Sequence, residues 1–160
     1  LPSMAFFRMV FDEVAAGFPD VGAERIYVDA AALYLVQKPD RFDVMVMENL
    51  FGDILSDLAA GVTGGMGMAP SADLGEKHAV FQPAHGSAPD IAGKGIANPI
   101  AAVLSAAMML EWLPGAEPTR GAHMIRRAVQ QVCASPAHRT ADLGGALTTR
   151  QMTDRILEAL

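Results

Sequence analysis

The run Phe42-Asp43-Val44-Met45-Val46-Met47-Glu48-Asn49-Leu50-Phe51-Gly52-Asp53-Ile54-Leu55-Ser56-Asp57 decides how this chain folds. Its first six residues read as a buried strand, because Val44 to Met47 are all apolar. Asp53 to Ala60 then has helix length, and Gly61, Gly64, Gly65 and Gly67 follow. This glycine run is not a dinucleotide fingerprint: Pro70 occupies the third glycine position, and no strand immediately precedes it. Strand followed by helix, without that turn, predicts an α/β chain that is not a Rossmann fold.

The pattern continues in both directions. Upstream, Arg25 to Val28 is a short strand candidate, and Asp29 opens a helix over Ala30 to Gln37 that Pro39 follows. Earlier still, Phe6, Phe7, Val10, Phe11 and Val14 form one apolar face of a helix from Ser3 to Gly17, with Ser3 as its cap. Downstream, Pro70 to Asp73 is turn chemistry, Ala79 to Phe81 a strand candidate, and Pro83 to Pro99 a loop. Ile100 to Leu113 is apolar nearly all round, which predicts a helix buried on several sides. Thr119 to Ala134 reads as a helix with Arg126 and Arg127 on a solvated face, and Thr148 or Thr149 caps a last helix. Alternating strands and helices favour a parallel or mixed sheet.

Composition bounds the function. Of 160 residues 51% are hydrophobic and 19% charged, enough to build a core and too apolar for a disordered tail. The single cysteine, Cys133, excludes a disulfide framework and a cysteine-built zinc site, and reads as buried and inert. A net charge of −6 offers no basic field for nucleic acid or an anionic membrane surface. The longest apolar run, Pro99 to Leu110, is shorter than the roughly 20 residues that cross a bilayer.

Two segments carry candidate chemistry. Asp53 and Asp57 stand at i and i+4, which places both carboxylates on one helix face. The spacing fits a solvated helix N-terminus, where Asp53 near the first turn suits the macrodipole. That is the commoner meaning of the spacing, which also admits a site for Mg²⁺ or Mn²⁺, ions that take hard oxygen ligands. The loop 83–99, PAHGSAPDIAGKGIANP, is rich in small residues that allow a ligand's close approach. His85 and Asp90 add polar groups, and Asn98 stands where it either caps the next helix or binds a ligand.

Taken in order, Glu48 to Asp57, His85 to Gly93 and Ala97-Asn98-Pro99 resemble the isocitrate/3-isopropylmalate dehydrogenase family. Thr140-Ala141-Asp142-Leu143-Gly144-Gly145 resembles that family's final segment. The resemblance implies a mixed sheet flanked by helices, of which this chain is the C-terminal portion. It implies NAD-linked oxidative decarboxylation of a β-substituted malate, 3-isopropylmalate first, with isocitrate, homoisocitrate and tartrate as alternatives. By the same resemblance, Asp53 and Asp57 bind Mg²⁺ or Mn²⁺. Asp29 is a catalytic metal ligand reaching the site from the partner subunit of a homodimer. His85, Gly86, Ser87, Ala88, Asp90, Ile91 and Asn98 belong to the NAD-binding loop. Asp90-Ile91 resembles the NAD form, because a carboxylate repels the extra phosphate of NADP. Gln82 departs from the glutamate that many relatives carry there.

The resemblance also implies parts that these residues do not supply: the arginines that clamp the malate, the general-acid tyrosine and the lysine of a K-x-N motif. None of Lys38, Lys77 and Lys94 matches that lysine. The expected division places residues 1–63 in a middle, subunit-contacting domain and 64–160 in a cofactor-side domain. The expected setting is cytoplasmic, with a small-molecule substrate and neither nucleic acid nor membrane as a partner. The alternative is a non-catalytic remnant that serves as a binding or assembly module.

Overall fold

The computed structural model describes residues 2–160. Six α-helices carry the described residues: α1 (Pro2–Ala15), α2 (Val28–Gln37), α3 (Asn49–Val62), α4 (Ile100–Trp112), α5 (Ala116–Ala134) and α6 (Thr149–Glu158). Between α3 and α4 lies the sheet of the described residues, an antiparallel hairpin of β1 (Pro70–Leu74) and β2 (Ala79–Pro83). Pro70 pairs with Pro83, and Leu74 with Ala79. The segment read as a turn is therefore a strand, and Gly75 to His78 form the turn.

Two apolar clusters form. Ala31, Leu35 and Leu55 join α2 to α3, with Phe42, Met45 and Met47 packed against them. Ile100, Ala128, Val129, Val132, Met152 and Ile156 join α4, α5 and α6. α4 also lies against both strands, and the Phe81 and Trp112 rings stand 6.1 Å apart. The all-round apolarity of α4 thus has its expected cause in burial on several sides. Its buried Ser105 hydroxyl donates to the Ala101 carbonyl at 2.8 Å, which removes the cost of an unpaired polar group.

Several expectations are corrected. Residues 25–27 and 42–47 form no strand, because no neighbouring segment among the described residues supplies ladder hydrogen bonds. The second stretch keeps strand-like alternation: Met45 and Met47 face the core, whereas Val44 is 90% exposed. Ser3 lies inside α1 rather than capping it. The apolar face of α1 is present, yet none of its residues is buried and Phe6 is 64% exposed. Arg126 is not simply solvated: it grips the Glu111 carboxylate through two hydrogen bonds of 2.6 and 2.7 Å. Cys133 is half-buried, and desolvation raises its thiol pKa against the opposing effect of Arg139, which suits an inert role.

Candidate functional site

The Glu48 side chain sets the position of the acidic pair. It accepts hydrogen bonds from the Leu50 and Phe51 backbone N–H groups at 3.1 and 3.2 Å and so caps α3. Glutamate is an uncommon cap, and the sequence reading missed this role. Because the helix begins at Asn49, Asp53 lies in its second turn. The macrodipole weakens beyond the first turn, so the explanation of Asp53 as a helix-start acid loses its support.

Asp53 and Asp57 are both exposed and one turn apart, with Cβ atoms about 6 Å apart by helix geometry. The Asn49 amide donates to Asp53 Oδ2 at 3.1 Å. Neither aspartate takes part in an ion pair among the described residues, although five such pairs form elsewhere. Two unneutralised, hard-oxygen donors on one accessible face fit a divalent cation. Asp29 is exposed in the first turn of α2, with its Oδ1 accepting from the Ala30 N–H at 2.9 Å. The described residues of this chain do not bring three acidic or imidazole groups together, so Asp29 does not join Asp53 and Asp57 within one chain.

The loop after β2 is an exposed, irregular shelf. It starts where the Ala84 N–H donates to the Ala69 carbonyl, and it carries two successive turns, Ala88 to Ile91 and Ile91 to Lys94. Ala88 has φ of 43°, left-handed backbone that costs a side-chain-bearing residue about 1 kcal/mol. His85, Gly86, Ser87, Ala88 and Asp90 are exposed, and Ile91 is half-buried. His85 Nδ1 lies 2.9 Å from the Gly86 carbonyl oxygen, which fixes the imidazole against its own turn. This row of small, accessible residues leaves room for a flat, phosphate-bearing ligand such as NAD. Gln82 lies exposed on β2, paired in register with Ser71, at the entrance to the loop.

Asn98, at the far end of the loop, is only 9% exposed. Its Oδ1 accepts from the Ile100 N–H at 3.0 Å, so its capping role is real. Its Nδ2 donates to Asp142 Oδ2 at 2.9 Å and lies 3.6 Å from the Met68 sulfur. The sequence reading missed the link to Asp142, which spans 44 residues and leaves no local signal.

Comparison with known proteins agrees with these features. The family model described as isocitrate/isopropylmalate dehydrogenase matches residues 1–156. An isocitrate/homoisocitrate dehydrogenase of Thermus thermophilus is 56% identical over 99% of this chain and 46% of its own length. A 3-isopropylmalate/3-methylmalate dehydrogenase of Methanocaldococcus jannaschii is 49% identical over 94% of this chain and 44% of its own. The crystal structure of an isocitrate dehydrogenase from Methylococcus capsulatus superposes with a TM-score of 0.91 at 45% identity, covering 97% of this chain and 45% of that one. The chain thus spans a little under half the length of the relatives it matches. With its motifs in order, its fold shared and the match running through nearly every residue, the chain belongs to the isocitrate/isopropylmalate dehydrogenase family.

Proposed function

We propose that this chain is the C-terminal portion of an NAD-linked, divalent-metal-dependent enzyme that oxidatively decarboxylates a β-substituted malate. The observation that carries the reading, given the family, is the exposed Asp53–Asp57 pair with no ion-pair partner among the described residues. When bound, Mg²⁺ or Mn²⁺ supplies Lewis-acid polarisation of a substrate oxygen, and NAD⁺ supplies a hydride acceptor. Asp53 and Asp57 hold the ion on the face of α3, with Asn49 orienting the Asp53 carboxylate. The partner subunit's Asp29 completes the ligand set in a homodimer with shared sites, which agrees with its failure to join the pair within one chain. Residues 85–91 and Asn98 bind NAD, and Asp90 disfavours the extra phosphate of NADP. Residues 1–63 belong to the subunit-contacting domain and 64–160 to the cofactor-side domain.

The substrate to try first is 3-isopropylmalate, beside isocitrate, homoisocitrate and tartrate. The named relatives divide between the isopropylmalate and isocitrate classes. The test is a turnover assay of the full-length protein carrying this chain, with that panel, Mn²⁺, and NAD or NADP. Asp53→Asn is expected to lower kcat/KM by about 100-fold or more while NAD binding persists. Near wild-type turnover refutes the metal assignment. Equal use of NAD and NADP refutes the role of Asp90. A wild-type protein inactive on every substrate favours a non-catalytic binding module.

A further inference from the structure

We propose that Asp142 and Thr149 are positioning residues that clamp the exit of the cofactor loop and thereby set NAD affinity. The inference rests on reading residues 85–98 as the NAD loop. A primary amide has two N–H donors and an oxygen that can accept twice, and three of these four positions of Asn98 are engaged. The oxygen takes the Ile100 N–H, while Nδ2 faces the Asp142 carboxylate and the Met68 sulfur. The orientation is forced, since a flipped amide would aim its oxygen at a carboxylate and its N–H groups at a backbone donor.

Asp142 is fixed in turn. Its Oδ1 accepts from the hydroxyl of Thr140, which is fully buried, and the Thr140 carbonyl accepts from the Leu143 and Gly145 N–H groups. Gly67 closes the other side: a Cβ there would stand 2.8 Å from both Asn98 Cβ and Asp142 Oδ2. The second strap is Thr149, whose N–H donates to the Gly95 carbonyl at 2.8 Å and whose hydroxyl donates to the Ala97 carbonyl at 2.5 Å. Segment 140–149 therefore grips residues 95–98 at three points, while most of residues 84–97 lies exposed. Asn98 serves the cofactor by its fixed place and backbone, its two N–H donors being already taken. Asp142 acts through it without touching the ligand.

The experiment measures NAD dissociation and steady-state kinetics in the full-length protein, with amide hydrogen exchange over residues 95–98. Asp142→Ala is expected to raise the NAD Kd about tenfold, with KM for NAD rising more than kcat falls, and to speed exchange at 95–98. Asp142→Asn keeps an acceptor for Asn98 and turns an N–H toward the Thr140 hydroxyl, which then accepts instead of donating, and so restores most of the affinity. Thr149→Val weakens NAD binding at the second strap, and Thr149→Ser rescues it, which keeps the test open if Asp142→Ala fails to fold. NAD binding unchanged in Asp142→Ala and Thr149→Val overturns the proposal. Asp142→Asn as damaging as Asp142→Ala also overturns it, by showing that the charge itself is needed. A wild-type protein that binds no NAD overturns the cofactor reading, and this positioning role falls with it. Faster exchange at 95–98 in the Asp142→Ala variant of such a protein would leave a purely structural clamp.

Discussion

Glu111, near the end of α4, holds Arg126 of α5 with both guanidinium-facing oxygens. The hydrogen-bonded Arg126 lowers the Glu111 pKa, outweighing the desolvation that raises it. A carboxylate whose folded pKa is lowered contributes stability that is present above its unfolded value, about 4.3, and lost as pH falls through the folded value. Thermal midpoints measured from pH 7 to pH 3 should therefore fall more steeply in the wild type below about pH 4.5 than in Glu111→Gln. Parallel curves would mean that the pair contributes nothing measurable, as many surface pairs do. Asp53 is the opposite kind of residue. Its carboxylate has no cation partner among the described residues, so Asp53→Asn is expected to cost turnover rather than stability, and the two measurements on one variant separate these effects.

At the scale of elements, α6 shows how a helix's start is written in sequence. Thr148 accepts from the Gln151 N–H at 3.2 Å, and the Gln151 side chain accepts from the Thr148 N–H at 2.9 Å. This reciprocal capping box satisfies backbone donors that the helix leaves unpaired. α6 carries Met152 and Ile156 into the core, so its fraying reaches α4 and α5. Thr148→Ala should lower unfolding stability by about 1 kcal/mol in denaturant titration, and Thr148→Ser should lower it much less. An unchanged midpoint in Thr148→Ala would show that packing alone holds the helix. α1 presents the converse case: a clear sequence pattern, a formed helix and no packed face.

At the scale of the molecule, exposed apolar side chains gather on the first three helices. Phe6, Met9 and Val14 of α1, Leu33 and Val36 of α2, and Leu50 and Ile54 of α3 are all exposed. Apolar surface left open in this way drives association. The described hairpin also leaves the outer edges of β1 and β2 unpaired, and such edges are ready to accept further strands. These 160 residues produced alone should sediment as a dimer or larger species, or melt without cooperativity. A monodisperse monomer with a sharp thermal transition would contradict this expectation. No helix among the described residues is long and apolar enough to cross a membrane.

What sequence by itself determined was local or carried by ordered motifs. The helix periodicity around Phe6 to Val14, the all-round apolarity of Ile100 to Leu113, a cap at Thr148 or Thr149 and the i, i+4 spacing of Asp53 and Asp57 are properties of neighbouring residues. Local hydrogen bonding and helix geometry realise them directly. The motif order likewise established the family. What only the tertiary structure decided were relations between distant segments. Residues 42–47 looked like a strand, but a strand exists only where another backbone pairs with it. Arg126 looked solvated until Glu111, fifteen residues away, was placed beside it. Asn98 read as a helix cap or a ligand-binding amide; it caps α4, and Asp142, across 44 residues, also holds its Nδ2. Pairing, neutralisation and the anchoring of an amide each need a second group whose position no local pattern encodes, which is why these outcomes emerged only in the folded chain.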